Sequence, residues 1–233
     1  MKPEERTVRN TIIRYRSFRY ALVLEGIAVG AISGAVVVAF RYLIGCTDTL
    51  LHRILAYGQA NHWFIPVWFA ILAVAALIVT LLLKWDPLIS GSGIPQIEGE
   101  IMGELDQRWW RVLAAKLGGG ILSLGCGLSL GREGPSIQLG AMAAKGFSRL
   151  TKRVKTEEKV LITCGASAGL SAAFNAPIAG ILFSLEEVHK HISPELVLSS
   201  MAASITSDFF SRNVFGLKPV FTFHITHMMP LST

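Results

Sequence analysis

The constraint that dominates this chain is the rhythm of its apolar runs. Some reach about 20 residues, the length a helix needs to cross a bilayer's hydrocarbon core, while others are cut short by glycine and proline. Only 16% of the 233 residues are charged and 52% are hydrophobic, against roughly a quarter charged in soluble domains. The apolar runs also lack the period-two alternation of a membrane barrel. The expected fold is therefore all-α, a polytopic membrane protein with broken and re-entrant helices. Its 22 glycines sit within the apolar runs and read as close helix packing, because small residues let backbones approach. A net charge of +6 would suit nucleic acid, but the basic residues flank apolar segments, so the partner is the lipid bilayer and no nucleic acid is expected. Cys46, Cys126 and Cys164 are odd in number and widely spaced, and read as packing thiols.

Along the chain, residues 1–19 carry Lys2, Arg6, Arg9, Arg14, Arg16 and Arg19 and form an expected cytoplasmic N-terminal segment by the positive-inside rule. No leader cleavage site stands out, so this segment is expected to be retained. Residues 20–233 form the transmembrane domain. A first helix is predicted over 20–45, with Gly26, Gly30 and Gly34 striping one face, then a connection over 46–62 and an aromatic-flanked span over 63–85. The pieces between 88 and 110 are too short to cross and read as re-entrant or as lying at the cytoplasmic boundary. A glycine-rich helix bearing Lys116 is predicted over 111–130, and another over 135–150 that leads to a cytoplasmic basic loop. The run 160–185 is broken at Asn175-Ala-Pro177, and a last span covers 194–215, followed by a loop.

Two motifs carry the chemistry. Gly91-Ser92-Gly93-Ile94-Pro95 and Gly131-Arg132-Glu133-Gly134-Pro135 each put glycines and a polar residue before a proline at a predicted first helical position. A helix that begins inside a membrane offers unpartnered amides and about half a positive charge, so its natural ligand is an anion. A carboxylate such as Glu133 in that place marks an ion path or proton relay. Alone, GSGIP reads equally as a turn into a helix; the pair carries the inference.

With GILFSLEEV further on, these motifs closely resemble the CLC family of chloride channels and chloride/proton antiporters, from about residue 20 to the C-terminus. The resemblance implies that Ser92, Gly93, Ile94, Arg132, Glu133 and Gly134 surround chloride, with the Ser92 hydroxyl donating to the ion. It implies that Glu133 is the gating glutamate, and that Glu187 is the internal proton-transfer residue, where channels of the family carry an apolar side chain. Proton-coupled chloride/proton antiport is thus expected, as an integral protein of the bacterial plasma membrane. No cofactor is expected beyond chloride as transported ligand.

Family members are homodimers with one pore per subunit. Their fold is an inverted repeat whose second half adds a GxFxP loop and a late tyrosine, neither found here, so the chain reads as the first repeat and a second CLC-type half-repeat is an expected partner. A passive voltage-gated-type chloride channel and a non-conducting half-subunit stay open as alternatives. So does anion preference, although Ser92 resembles the chloride-selective members. Lys116 reads as a structural or electrostatic charge. The stretch 125–131 loosely matches a dinucleotide fingerprint but lacks a preceding strand. His189, His191, His224 and His227, with Met228 and Met229, match no metal spacing, and no nucleophile with a partner base is discernible, so no enzyme is expected.

Overall fold

The computed structural model describes residues 3–61 and 63–216, with side chains from residue 20 onward except at position 60. The basic side chains of residues 1–19, the closing loop with His224, His227, Met228 and Met229, and the chain after Gly216 lie outside the described residues. Among the described residues all regular structure is helical: α1 (Pro3–Ala60), α2 (Phe64–Trp85), a 3-10 turn (Pro87–Ile89), α3 (Ile94–Met102), α4 (Trp109–Gly125), α5 (Glu133–Leu150), α6 (Lys155–Phe174), α7 (Pro177–Phe183) running into a π-helical turn (Ser184–His189), and α8 (Pro194–Phe215).

Three expectations shift. The connection predicted over 46–62 is instead helical as far as Ala60. Thr47 and Thr49 bond back to the Ile44 and Gly45 carbonyls, no proline intervenes, and Leu51 is buried, so helix continues until Asn61. The glycine-rich helix stops at Gly125, five residues early. There Gly127 takes a φ of +84°, and the Gly127 and Leu128 amides bond to the Leu124 and Ser123 carbonyls, a Schellman ending. Helix α5 begins at Glu133 and not at Pro135, and α3 at Ile94 and not at Pro95. Proline fits anywhere in the first turn, where its missing N–H has no partner to lose.

Two glycine seams hold the bundle together. Along α1 and α8, which run parallel, a Cβ on Gly26 would fall 2.6 Å from the Ser199 carbonyl oxygen, and one on Gly34 would fall 2.8 Å from Ser207 Oγ. The predicted stripe is thus spent on α8. Helices α5 and α6 run antiparallel, with Gly140 against Gly165 and Gly169. Ser33 bonds across to the Gly140 carbonyl (2.9 Å), and Ser207 and Ser211 bond to the Ala168 and Ala172 carbonyls (2.7 and 3.0 Å). These hydroxyls replace the water that backbone oxygens lack in hydrocarbon.

Asn175, with a φ of +56°, turns the chain at the expected break, and α7 doubles back so that Gly180 lies against Ser167 and Ser171. Helix α5 is the centre of the bundle, buried over most of its length. Helix α2 has the opposite character: it is almost wholly apolar, yet only Ala75 is buried. Such a surface belongs against lipid or another apolar partner.

Candidate functional site

The site lies where α3 and α5 begin. Gly93, with a φ of +90°, precedes α3, and Arg132 precedes α5. The two starts are in contact: a Cβ on Gly134 would stand 2.5 Å from the Ser92 carbonyl oxygen and 2.8 Å from Ser92 Cβ. Only glycine lets these backbones meet. Each start presents amides without helical partners, so two sets of donors and two positive dipole ends converge.

They open on a cleft of about 480 Å³ lined by Ser92, Lys116, Glu133 and Gly134, with apolar walls from α2 and α4. Ser92 and Glu133 are exposed to it. The Ser92 hydroxyl oxygen accepts a long, weak bond from the Ile94 amide at 3.4 Å, and its own proton stays free to donate outward. The loop below it is tightly held. Lys116 Nζ donates to the Ile89 and Gly91 carbonyls at 2.8 and 2.7 Å, and Gln96 Nε2 donates to the Ser90 carbonyl at 3.0 Å.

Glu133 is placed differently. Its carboxylate leans back over Gly131, where a Cβ would sit 2.5 Å from Glu133 Oε2. It takes no protein hydrogen bond among the described residues.

The other predicted site residues divide. Ile94 and Gly93 stand at the α3 start behind Ser92. Arg132 does not line the cleft: its guanidinium lies 5.9 Å from the Phe174 ring centroid, near Arg41, which bonds to Asn175 and Ser211 and caps the end of α6. Glu187 is not brought to the cleft either. It is exposed on the π-helical turn, a distortion frequent at functional positions. Beside it Lys190 pairs with Glu98 of α3, and that bond raises the exposed Lys190 amine above its ordinary range. His189 Nδ1 lies 2.8 Å from Thr163 Oγ1, His191 is exposed, and no cluster that would hold a metal occurs among the described residues.

At the far end of α3, Lys145 pairs with Glu100 and Asp106 (2.6 and 2.7 Å), and Arg149 pairs with Glu158 (2.6 Å). The Lys145 hydrogen bond holds the Asp106 carboxyl below the usual carboxylate range. Sequence reasoning passed over this cluster and the buried Gln107 and Gln138 beside it. The available signal was Gln138 and Lys145 standing among the small and apolar residues of α5.

Comparison with known proteins gives a consistent answer. Residues 74–233 match the family model described as voltage gated chloride channel. The H(+)/Cl(-) exchange transporter ClcA of Citrobacter koseri is 40% identical over 202 residues, covering 84% of this chain and 42% of the relative. That of Salmonella arizonae is 39% identical with the same coverage. Among solved structures, a slow cyanobacterial Cl-/H+ antiporter superposes with a TM-score of 0.73 at 30% identity, over 90% of this chain and 50% of that one. A eukaryotic CLC transporter does so at 0.71 with 22% identity, over 88% and 40%, and this likeness speaks for the fold alone. The chain spans about half the length of the relatives it matches.

Proposed function

The chain belongs to the CLC family and is an integral membrane protein, and from that premise we propose that it forms one half of a chloride pathway that exchanges chloride for protons. The observation that carries the reading is the contact of Gly134 with Ser92, which brings two helix N-termini and the Glu133 carboxylate to one cleft. A halide there is attracted by the converging amides and dipoles and receives the Ser92 hydroxyl. The ionised Glu133 carboxylate competes for the same field.

When chloride takes that field, the displaced carboxylate loses its stabilisation and its proton affinity rises; when it is protonated it leaves the field to the anion. Anion movement is thereby linked to proton uptake. Glu187, on the π-helical turn at the other end of the bundle, hands protons to the aqueous phase on that side. The N-terminus lies in the cytoplasm, with residues 1–19 outside the membrane and the remainder within the transmembrane domain. The working unit is a homodimer. A second reading is favoured by the open cleft, with Ser92 and Glu133 exposed: the chain conducts only with a complementary second half, on this or another polypeptide.

The test is reconstitution of the purified protein in liposomes with chloride efflux and pH recorded together. An outward chloride gradient should drive protons uphill. Glu133→Gln should abolish the proton movement and leave chloride flux in place. Proton transport unchanged in that variant overturns the gating assignment, and downhill chloride flux that never moves protons identifies a passive channel. Flux that appears only when a complementary half is added supports the second reading.

A further inference from the structure

The GSGIP loop is braced from beneath by two glutamines that anion chemistry does not require. Gln138, in the second turn of α5, is fully buried, and its Nε2 donates to the Leu88 carbonyl at 3.0 Å and to Gln107 Oε1 at 3.1 Å. Both partners are acceptors, which fixes the amide's orientation. Its Oε1 therefore faces Gly93, within reach of the Cβ that Gly93 lacks, and has no hydrogen-bond partner.

Gln107, 1% exposed, extends the connection. Its Nε2 donates to the Gln96 carbonyl in α3 at 2.9 Å, its backbone amide donates to Glu100 Oε2 at 2.6 Å, and its carbonyl accepts from Lys145 Nζ at 2.5 Å. An unbroken run of buried and partly buried hydrogen bonds thus joins the cleft-side loop to the charge cluster at the other end of α3. Leucine or methionine would fill the same volume without the cost of desolvating two amides. The polarity serves something other than packing.

We propose that Gln138 and Gln107 are positioning residues of the anion site. Together they fix the Leu88 carbonyl and the left-handed turn at Gly93, and so set where the Ser92 hydroxyl and the first amides of α3 stand. Neither amide touches the anion. The assignment rests on the anion-transport reading above.

Hydrogen–deuterium exchange of the segment 88–97 in chloride-free protein and calorimetric chloride titration test it. Gln138→Leu keeps the volume and removes both donors. It should speed exchange in that segment and weaken chloride binding, each by about tenfold, while exchange along the α1–α8 seam stays unchanged. Gln138→Glu donates once when protonated and not at all when ionised, so it should approach wild type at low pH and the leucine variant at high pH. Should Gln138→Leu fail to fold, Gln107→Met reads the same segment. Unchanged exchange over 88–97, or a Gln138→Glu variant indifferent to pH, overturns the bracing while chloride binding by wild type keeps the transport reading alive. Wild-type protein without chloride affinity overturns the transport reading, and the assignment with it.

Discussion

The two helix starts at the cleft share a glycine–polar–glycine plan but are secured in opposite ways. The α3 start is clamped: Lys116, Gln96 and Gln138 bind the four carbonyls of residues 88–91, the segment leading to it. At the α5 start, Arg132 turns toward Phe174 and the Glu133 side chain has no protein hydrogen bond among the described residues. One side is tied down by hydrogen bonds and the other carries a carboxylate that nothing among the described residues holds by one. The proposed alternation of a carboxylate and an anion would draw on that asymmetry, because a loosely held wall would dissipate the difference between the two occupants.

The contact between the two helix starts is most vulnerable at Gly134. Gly134→Ala sets a methyl against the Ser92 backbone, at 2.5 Å from its carbonyl oxygen, and should cut chloride flux by about a hundredfold, as a shift of an ångström does at a positioned site. Flux near wild type would mean the two starts need not touch. Lys116→Met comes next. It leaves the Ile89 and Gly91 carbonyls without a charged donor, and at roughly 1.5–3 kcal/mol for such a bond it should weaken chloride binding tenfold or more, as read by calorimetry.

Gly91→Ala sharpens the contrast. No atom lies within 4 Å of its Cβ, but its φ is +65°, so only backbone strain of about 1 kcal/mol opposes it. A loss of stability without loss of anion selectivity is expected. Asp106→Asn should have the smallest effect. The Asp106 carboxyl is held below its usual range, so its contribution is present above the unfolded value of about 4 and fades as pH falls through the folded one. Because this side chain is 74% exposed, solvent screens the pair, and the variant should lower the melting temperature at neutral pH by about a degree, converging with wild type in acid.

Local chemistry was legible in the sequence. The start of α8 at Pro194, the break at Asn175-Ala-Pro177 and the partnered stripe of Gly26, Gly30 and Gly34 all follow from residues acting on their own few neighbours. What stayed hidden depends on distant parts of the chain. The residues just after Gly45 permit helix without requiring it as far as Ala60, since the burial of Leu51 belongs to its packing beside Gly127. Arg132 shares a motif with Glu133 yet turns to Phe174, and Gln138 acquires its partner only when the 3-10 turn 50 positions away folds against it. Adjacent letters in a motif do not oblige side chains to share a destination.

The grip of Lys116 has a kinetic meaning. Two of the three hydrogens on its ammonium are occupied by carbonyls, so in the proposed pathway the protonated group lends the cleft a positive potential while offering little with which to seize a passing halide. Attraction without capture shortens residence time, and short residence is what rapid turnover demands of any way station along a conduction route.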